Sequence, residues 1–300
     1  MYLLILNIRR MKSKNFIIIL FLSMSSFLNA QSLLDKLEGE HQIESQYVMS
    51  TFKGTRISIG HSIETRKKNT LEVSFMSRYW NVLQESSNSF IADRMCTRFG
   101  VDYGVSDKFT IGLGTGNPNG ILDGYLKYRV MQQSVNKGNL FGITLLQTTT
   151  YRTRNIKNIE RRDSFGDKLA FTTQVLIARK FSRNFSFQIS PTFVHRTSSR
   201  FNVDDHNHFA IGFSPRYKLG NHVSLVSEYY YVANPLKSLD TYGAFVLGVN
   251  WEVSDLLLQF KMTNNQIFNE DAFITQTSRN FNFRDENFYF GFHATYHIQL

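Results

Sequence analysis

Between Phe52 and Glu64 the chain places Lys53, Arg56, His61 and Glu64 around Gly54 and Gly60. Two cations, a titratable imidazole and a carboxylate beside two glycines could contact a ligand or form a gate, because glycine lets the backbone pass close to another surface. The same residues can serve as a tether whose charges pair with strand residues such as Asp102 and Glu228, and that simpler reading is preferred. Further along, Asp204, Asp205, His206 and His208 offer carboxylates and imidazoles of the kind that hold zinc. Residues two apart on a strand share a face without needing an ion, so this patch reads as a polar loop end. His293 and His297, four apart, stand too far from one another to share a metal, and no metal site is expected. Gly112-Leu113-Gly114-Thr115-Gly116 is superficially like a phosphate-cradling loop, yet no helix or nucleotide-motif spacing follows. Glycines there more simply leave room for neighbours. Cys96 is the one cysteine, so no internal disulfide is possible, and it reads as a small filler. No motif fixes a nucleophile beside a base; Asp123, Asp163 and Asp167 read as ordinary loop and rim acids. Neither an enzyme nor a cofactor is expected.

The elements that would carry these residues repeat with a period of two. In 94–105, Met95, Thr97, Phe99, Val101, Tyr103 and Val105 share one face, while Arg94, Cys96, Arg98, Gly100, Asp102 and Gly104 share the other. In 287–300 the faces are Phe288, Phe290, Phe292, Ala294, Tyr296, Ile298 and Leu300 against Tyr289, Gly291, His293, Thr295, His297 and Gln299. Such segments meet something apolar on one side and something wet on the other. Twelve can be laid out: 71–80, 93–104, 108–116, 121–131, 139–151, 168–180, 185–196, 207–218, 222–232, 242–253, 256–264 and 287–300. Their lengths suit tilted strands crossing a bilayer. The spacers mostly alternate short and long, as periplasmic turns and extracellular loops do. This predicts an all-β fold, a transmembrane antiparallel β-barrel of about 12 strands with both termini periplasmic. Open sheet edges cannot be satisfied in hydrocarbon, so the sheet must close. A soluble barrel would bury Arg94, Arg98, Lys127, Arg129, Arg216, Lys218, Glu228, Glu252 and Lys261 in a dry core, which is costly. With Asp102, these are the lumen-lining candidates. Pro191 and Pro215 interrupt two strands and are expected to mark bulges.

Residues 1–30 read as a secretory signal peptide. Arg9, Arg10, Lys12 and Lys14 precede the apolar run Phe16–Leu22, and cleavage is expected after Ala30. Met11 could be the true start, making 1–10 a start-site extension. Removing those four basic residues takes the net charge from +10 to +6. Export makes nucleic acid an unsuitable partner for this basic balance. Residues 31–70 form a periplasmic or lumenal N-terminal segment ahead of the barrel domain, 71–300. Within it, Leu33, Leu34 and Leu37 suggest a short amphipathic turn, and 51–64 could be a short strand, a lead-in segment or a partial plug.

The stretch Thr51-Phe52-Lys53-Gly54-Thr55-Arg56-Ile57, followed by Gly60-His61-Ser62, carries a resemblance, as do Gly100–Lys108 and Asp123–Tyr128. The chain resembles a family of uncharacterised outer-membrane β-barrel proteins from Bacteroidota. The resemblance implies an outer-membrane barrel with no assigned activity and no catalytic residue to carry over.

The functional expectation is a passive porin or small-solute channel in the outer membrane. Basic residues outnumber acidic ones among the lumen candidates, so an open pore should prefer anions. The alternative is a structural or accessory barrel subunit of a larger outer-membrane complex. Expected partners are outer-membrane lipid, the barrel-insertion machinery, whose signal the apolar end Tyr296, Ile298 and Leu300 resembles, and other outer-membrane proteins. The spacer 265–286, with Phe268, Phe273, Ile274, Phe281 and Phe283, is aromatic enough to fold inward as a constriction or outward onto a partner.

Overall fold

The computed structural model describes residues 47–81, 92–117, 120–135, 138–154, 164–199, 201–282 and 288–300. The expected signal peptide, its cleavage point, the turn near Leu33, Asp163 and Phe283 lie outside the described residues. Alternation sets the strands: β1 (Thr70–Trp80), β2 (Arg94–Ser106), β3 (Phe109–Gly116), β4 (Ile121–Met131), β5 (Gly142–Arg152) and β6 (Leu169–Lys180). They continue as β7 (Phe185–Arg196), β8 (Asn207–Lys218), β9 (Val223–Val232), β10 (Phe245–Val253), β11 (Leu256–Thr263) and β12 (Tyr289–Gln299). Each pairs antiparallel with its sequence neighbours, and β1 pairs with β12 from Thr70↔Gln299 to Tyr79↔Phe290, closing the barrel. No strand of this sheet is left with an open edge, which is the condition for a sheet in hydrocarbon. The start of β1 and the end of β12 share one end with the short connections, here the turn end. The opposite end carries the longer spacers and is the loop end.

Bulges fall elsewhere than expected. The ladder shifts register at Gly104/Ser106 and at Arg129/Met131. At the prolines it does not: β6–β7 runs Gln174↔Thr192 and resumes at Ile177↔Ile189, and β8–β9 runs Phe213↔Tyr229 and resumes at Arg216↔Val226, each in unchanged register. The missing proline N–H removes a local pairing on one side, while β7–β8 continues unbroken through both prolines.

The two faces of the wall differ as the alternation requires. On β2, Met95, Phe99, Val101 and Val105 are exposed, and Cys96, Arg98 and Asp102 are buried. On β4, Leu122, Leu126 and Tyr128 are exposed, and Asp123, Tyr125 and Lys127 are buried. Outward rings pair across strands, as in Phe75–Phe99 and Phe193–Phe209. Tyr128, Tyr217, Trp251 and Tyr296 lie outward toward the turn end, and Phe209, Tyr229 and Tyr231 toward the loop end. A continuous apolar band between two aromatic belts fits lipid and not water.

The core therefore lies inside the barrel, and two segments fill it. From the turn end, Phe52, Ile57 and Ile63 pack with Tyr125, Leu146, Leu176, Ala178 and Val226. From the loop end, the short helix α1 (Glu270–Thr275) is buried along its whole length, and Phe273 and Ile274 pack with Ile59, Tyr230, Val246 and Ala244. Of the alternatives left open for 51–64, the structure shows a plug, and the aromatic spacer after β11 turns inward.

Candidate functional site

Residues 47–69 run into the lumen from the turn end. Tyr47 bridges to Ser134 beside β4, and Val48 N–H donates to the Gln133 carbonyl at 2.8 Å. The tip is a tight turn: Ile57 N–H donates to the Gly60 carbonyl at 2.9 Å, and Ser62 N–H donates to the Thr55 carbonyl at 2.9 Å. Gly60 is required there by space. A Cβ at that position would lie 1.8 Å from the Tyr230 hydroxyl and 2.7 Å from Glu228 Oε2.

Such an irregular segment cannot satisfy its own carbonyls, and the wall supplies donors for them. Lys180 Nζ reaches the Met49 carbonyl at 3.1 Å, and Arg216 Nη1 reaches that of Thr51 at 3.3 Å. Lys127 Nζ donates to the carbonyls of Thr55, Ser62 and Glu64 at 2.9, 3.1 and 3.2 Å. Gln259 Nε2 and Asn250 Nδ2 converge on the Ile57 carbonyl at 2.7 and 3.2 Å, and Lys261 Nζ donates to that of Ser58. Gln188 Nε2 takes His61 O at 2.8 Å, and Thr144 Oγ1 takes Ile63 O at 2.8 Å. In the opposite sense, Glu228 accepts the Ile59 and Gly60 N–H groups at 2.7 and 2.9 Å. These buried wall charges are compensated by main chain.

The tether reading named Asp102 and Glu228 as partners for the motif's charges, and the observed pairings differ. Glu228 binds backbone, and Asp102 lies 3.3 Å from the Thr55 hydroxyl. Lys53 pairs with Glu252 at 2.7 Å and Glu64 with Arg129 at 3.5 Å. Arg56 reaches the loop-end filler instead: its Nη1 lies 2.6 Å from Glu270 Oε1, and His61 Nε2 lies 3.3 Å from the same oxygen. The neighbouring Asp271 binds Arg152 Nη2 at 2.7 Å through its carboxylate and Arg196 Nη2 at 2.8 Å through its carbonyl. Burial opposes charge on Arg56, yet Glu270 above all, with Asp123 and Asp102, raises its pKa. Burial likewise opposes the Glu270 carboxylate, and Arg56 and His61 hold it below the usual carboxylate range. For His61, burial and then the charges of Arg56 and Lys127 push the imidazole well below its usual value.

The remaining sequence-derived residues are placed as follows. Arg98 is buried, with Nε 2.9 Å from Asp123 Oδ1, over the glycines of β3. A Cβ on Gly114 would lie 2.1 Å from Arg98 Nη2, and one on Gly112 would lie 2.2 Å from Tyr125. The glycine run thus makes room for two large lumen side chains. Arg94 is exposed at the loop end of β2, and Lys218 is half-buried at the turn end of β8. Gly54 passes Leu257, where a Cβ would stand 2.9 Å from Cδ2. In the His/Asp patch, Asp204 accepts the Lys237 and Ser238 N–H groups at 3.0 and 2.9 Å. His206 and His208 lie against the carbonyls of Arg196 and Asn234. His293 contacts Thr295, and His297 contacts Glu72 and the Asp255 carbonyl. Cys96 Sγ lies 3.1 Å from the Gln266 carbonyl. Sequence reading missed Arg78, Arg152, Arg196, Glu270 and Asp271. Strand parity marks the first three as inward, and nothing local marks the two acids. Above α1, at the loop end, a cavity of about 240 Å³ is lined by Arg98, Asp123, Arg152, Arg196, Leu236 and Phe268, among others.

A family model described as "Membrane bound beta barrel domain (DUF5777)" matches residues 52–297, a span that includes the plug motif. No curated protein sequence is detectably similar to the chain. Among solved structures, the NanC porin is similar at 10% identity and a TM-score of 0.46, covering 77% of this chain and 100% of that one. The KdgM porin is similar at 6% identity and a TM-score of 0.47, covering 75% and 98%. An outer membrane channel from Pseudomonas putida F1 is similar at 12% identity and a TM-score of 0.47, covering 78% and 97%.

Proposed function

The chain belongs to the DUF5777 family of membrane-bound β-barrel domains, and from that premise we propose that it is an outer-membrane channel for small solutes, held shut at rest by its own N-terminal segment. In this reading the turn end, with both barrel termini, faces the periplasm. The observation that carries it is the polar character of the contact between plug and wall. Lys127, Lys261, Gln188, Gln259 and Glu228 hold the plug by hydrogen bonds to its backbone, and water can replace each of these once the segment moves. A lumen sealed by apolar packing alone would offer no such route. Passage is then conditional on movement of the plug. When the plug leaves, the wall cations Lys127, Arg216 and Lys261 are freed, and the passage favours anions.

The filled lumen also favours a second reading, an accessory barrel that never conducts and serves a larger assembly. Planar-bilayer recording of the full chain and of Glu270→Gln separates the two. The channel reading expects a nearly silent wild-type protein, and a variant that opens frequently with a reversal potential displaced toward the anion value. Steady ohmic wild-type conductance, or silence of both proteins with stoichiometric copurification of another subunit, would overturn it.

A further inference from the structure

The lumen wall reads the plug largely through main-chain atoms. The carbonyls of Met49, Thr51, Thr55, Ile57, Ser58, His61, Ser62, Ile63 and Glu64 all accept from wall side chains. Two successive N–H groups, of Ile59 and Gly60, are taken by one wall carboxylate, Glu228. These donors come from β4, β5, β6, β7, β8, β10 and β11, with the acceptor on β9, so eight consecutive strands of the wall line the site. Side-chain recognition falls at a few positions: Lys53 meets Glu252, Glu64 meets Arg129, Arg66 meets Glu72, and the Thr55 hydroxyl meets Glu72 and Asp102. Phe52, Ile57 and Ile63 meet Leu146, Leu176 and Val226, an apolar surface of generic shape.

A site that binds a chain by its amide groups is indifferent to most of that chain's sequence, because every residue presents the same carbonyl and nearly every residue the same N–H. We infer that this wall is a binding site for polypeptide backbone, with the plug as its resident occupant. The solute class of the channel is then short, unstructured peptides that enter as the plug withdraws. This rests on the channel reading above and names its cargo. The wall cations provide strong donors to neutral carbonyl acceptors, a match that peptides offer repeatedly along their length. A saccharide presents hydroxyls in place of the carbonyl acceptors that Lys127, Gln188 and Gln259 meet. Space is tightest where the chain passes Tyr230, and tight again where it passes Leu257, so cargo with small residues at those points passes best.

The test uses the full-length Glu270→Gln protein, which leaves the wall and plug backbone unchanged. A 14-residue uncharged peptide of alternating apolar and hydroxyl residues, unrelated in sequence to residues 51–64, is perfused during planar-bilayer recording. A depsipeptide of the same side chains, with esters replacing alternate amides, and an oligosaccharide of equal mass serve as comparators. The peptide should block the open current, and the depsipeptide should need at least about tenfold more, because esters accept weakly and lack the N–H. The oligosaccharide should not block. Gln188→Leu and Gln259→Leu, each added to Glu270→Gln, should weaken the peptide block. Native mass spectrometry of the same detergent-solubilised proteins gives a readout independent of current, a 1:1 peptide adduct with the same ranking. Equal action of peptide and depsipeptide, or conduction with neither block nor adduct, overturns the peptide assignment while leaving the channel. A peptide adduct on a protein that never conducts overturns the channel and leaves the binding site. No conduction and no adduct overturns both.

Discussion

The barrel is stoppered from its two ends by segments that use opposite chemistry. The turn-end plug, 47–69, is bound through its backbone to many wall side chains, each contributing one to three hydrogen bonds. The loop-end filler around α1 is held at a few of its carbonyls by Arg78 and Arg196, and its ion pairs run through two carboxylates. Glu270 meets Arg56 and His61, and Asp271 meets Arg152 and Arg196. The first arrangement spreads its stabilisation and tolerates change at most positions. The second concentrates it on a few buried charges, where loss of one partner strands another. The two meet at Arg56 and Glu270, so the filler acts as a lock on an otherwise replaceable plug.

The largest expected effect follows from breaking that lock. Glu270→Ala leaves the buried Arg56 without its carboxylate, and removing one partner of a buried pair costs about 3–5 kcal/mol. Plug retention, read as open probability in bilayers, should fall far more than with any single wall change. An Arg56→Ala/Glu270→Ala double variant should recover much of the loss, because no uncompensated charge remains. If both single variants behave like wild type, the concentrated half of the comparison is wrong.

Next in size is the place where the plug's main chain passes closest to a wall side chain. At Gly60 even an alanine Cβ collides with the Tyr230 hydroxyl, so Gly60→Ala should destabilise the plugged state by about 1–3 kcal/mol. Tyr230→Phe removes the colliding oxygen and should restore part of the loss in the double variant. Glu228 remains close, so the rescue is incomplete. Alanine at Ser58, by contrast, should be nearly silent. Its carbonyl, rather than its hydroxyl, meets Lys261.

The same contrast explains what could be read from sequence. Strands were legible because a period of two is a local property. Met95 to Val105 and Phe288 to Leu300 show it without reference to partners. Inward charges such as Lys127 and Lys261 were legible by parity alone. Their partners were not, because a main-chain carbonyl has no signature in sequence. The plug could be named only as one of several options, since 51–64 has no repeating pattern once it serves as ligand rather than strand. Nothing local marks Glu270 and Asp271, for Arg56 lies 214 residues away from Glu270. The prolines misled because a lost N–H was equated with a bulge, whereas the neighbouring pairs held register. Surplus inward cations were the one available hint that something electron-rich must fill the lumen.

Single wall donors should matter less. Gln259→Leu removes one of two donors to the Ile57 carbonyl, and Asn250 keeps the other. A net hydrogen bond contributes about 0.5–1.5 kcal/mol, so open probability should rise less than about tenfold. An effect as large as that of Glu270→Ala would mean that the plug is not held by distributed contacts.

The smallest effect tests the seam between the two regions through pH. His61 sits where plug and filler meet. It is faced by Glu270 from the loop end, by Arg56 from the plug, and by Lys127 and the Tyr125 ring, 4.5 Å away, from β4. Burial and the two cations hold its imidazole neutral, with a pKa well below the ordinary value near 6.5. A displaced plug exposes His61 to water and restores that ordinary value. Because the plugged-state pKa is the lower one, the contribution of His61 to plugging is fully present above about pH 6.5 and is lost as the pH falls. Glu270 does not contribute in this window, since its pKa is depressed below the usual carboxylate range. Between pH 6.5 and 5.5 the plugged state should weaken by about fivefold, the linkage expected for one proton, and open probability should rise accordingly. His61→Asn, which cannot titrate, should flatten that dependence. Were acid to tighten the plug, the proton would be sitting between His61 and Glu270 as a second ion pair, and the balance of charges at the seam would be the reverse of the one described.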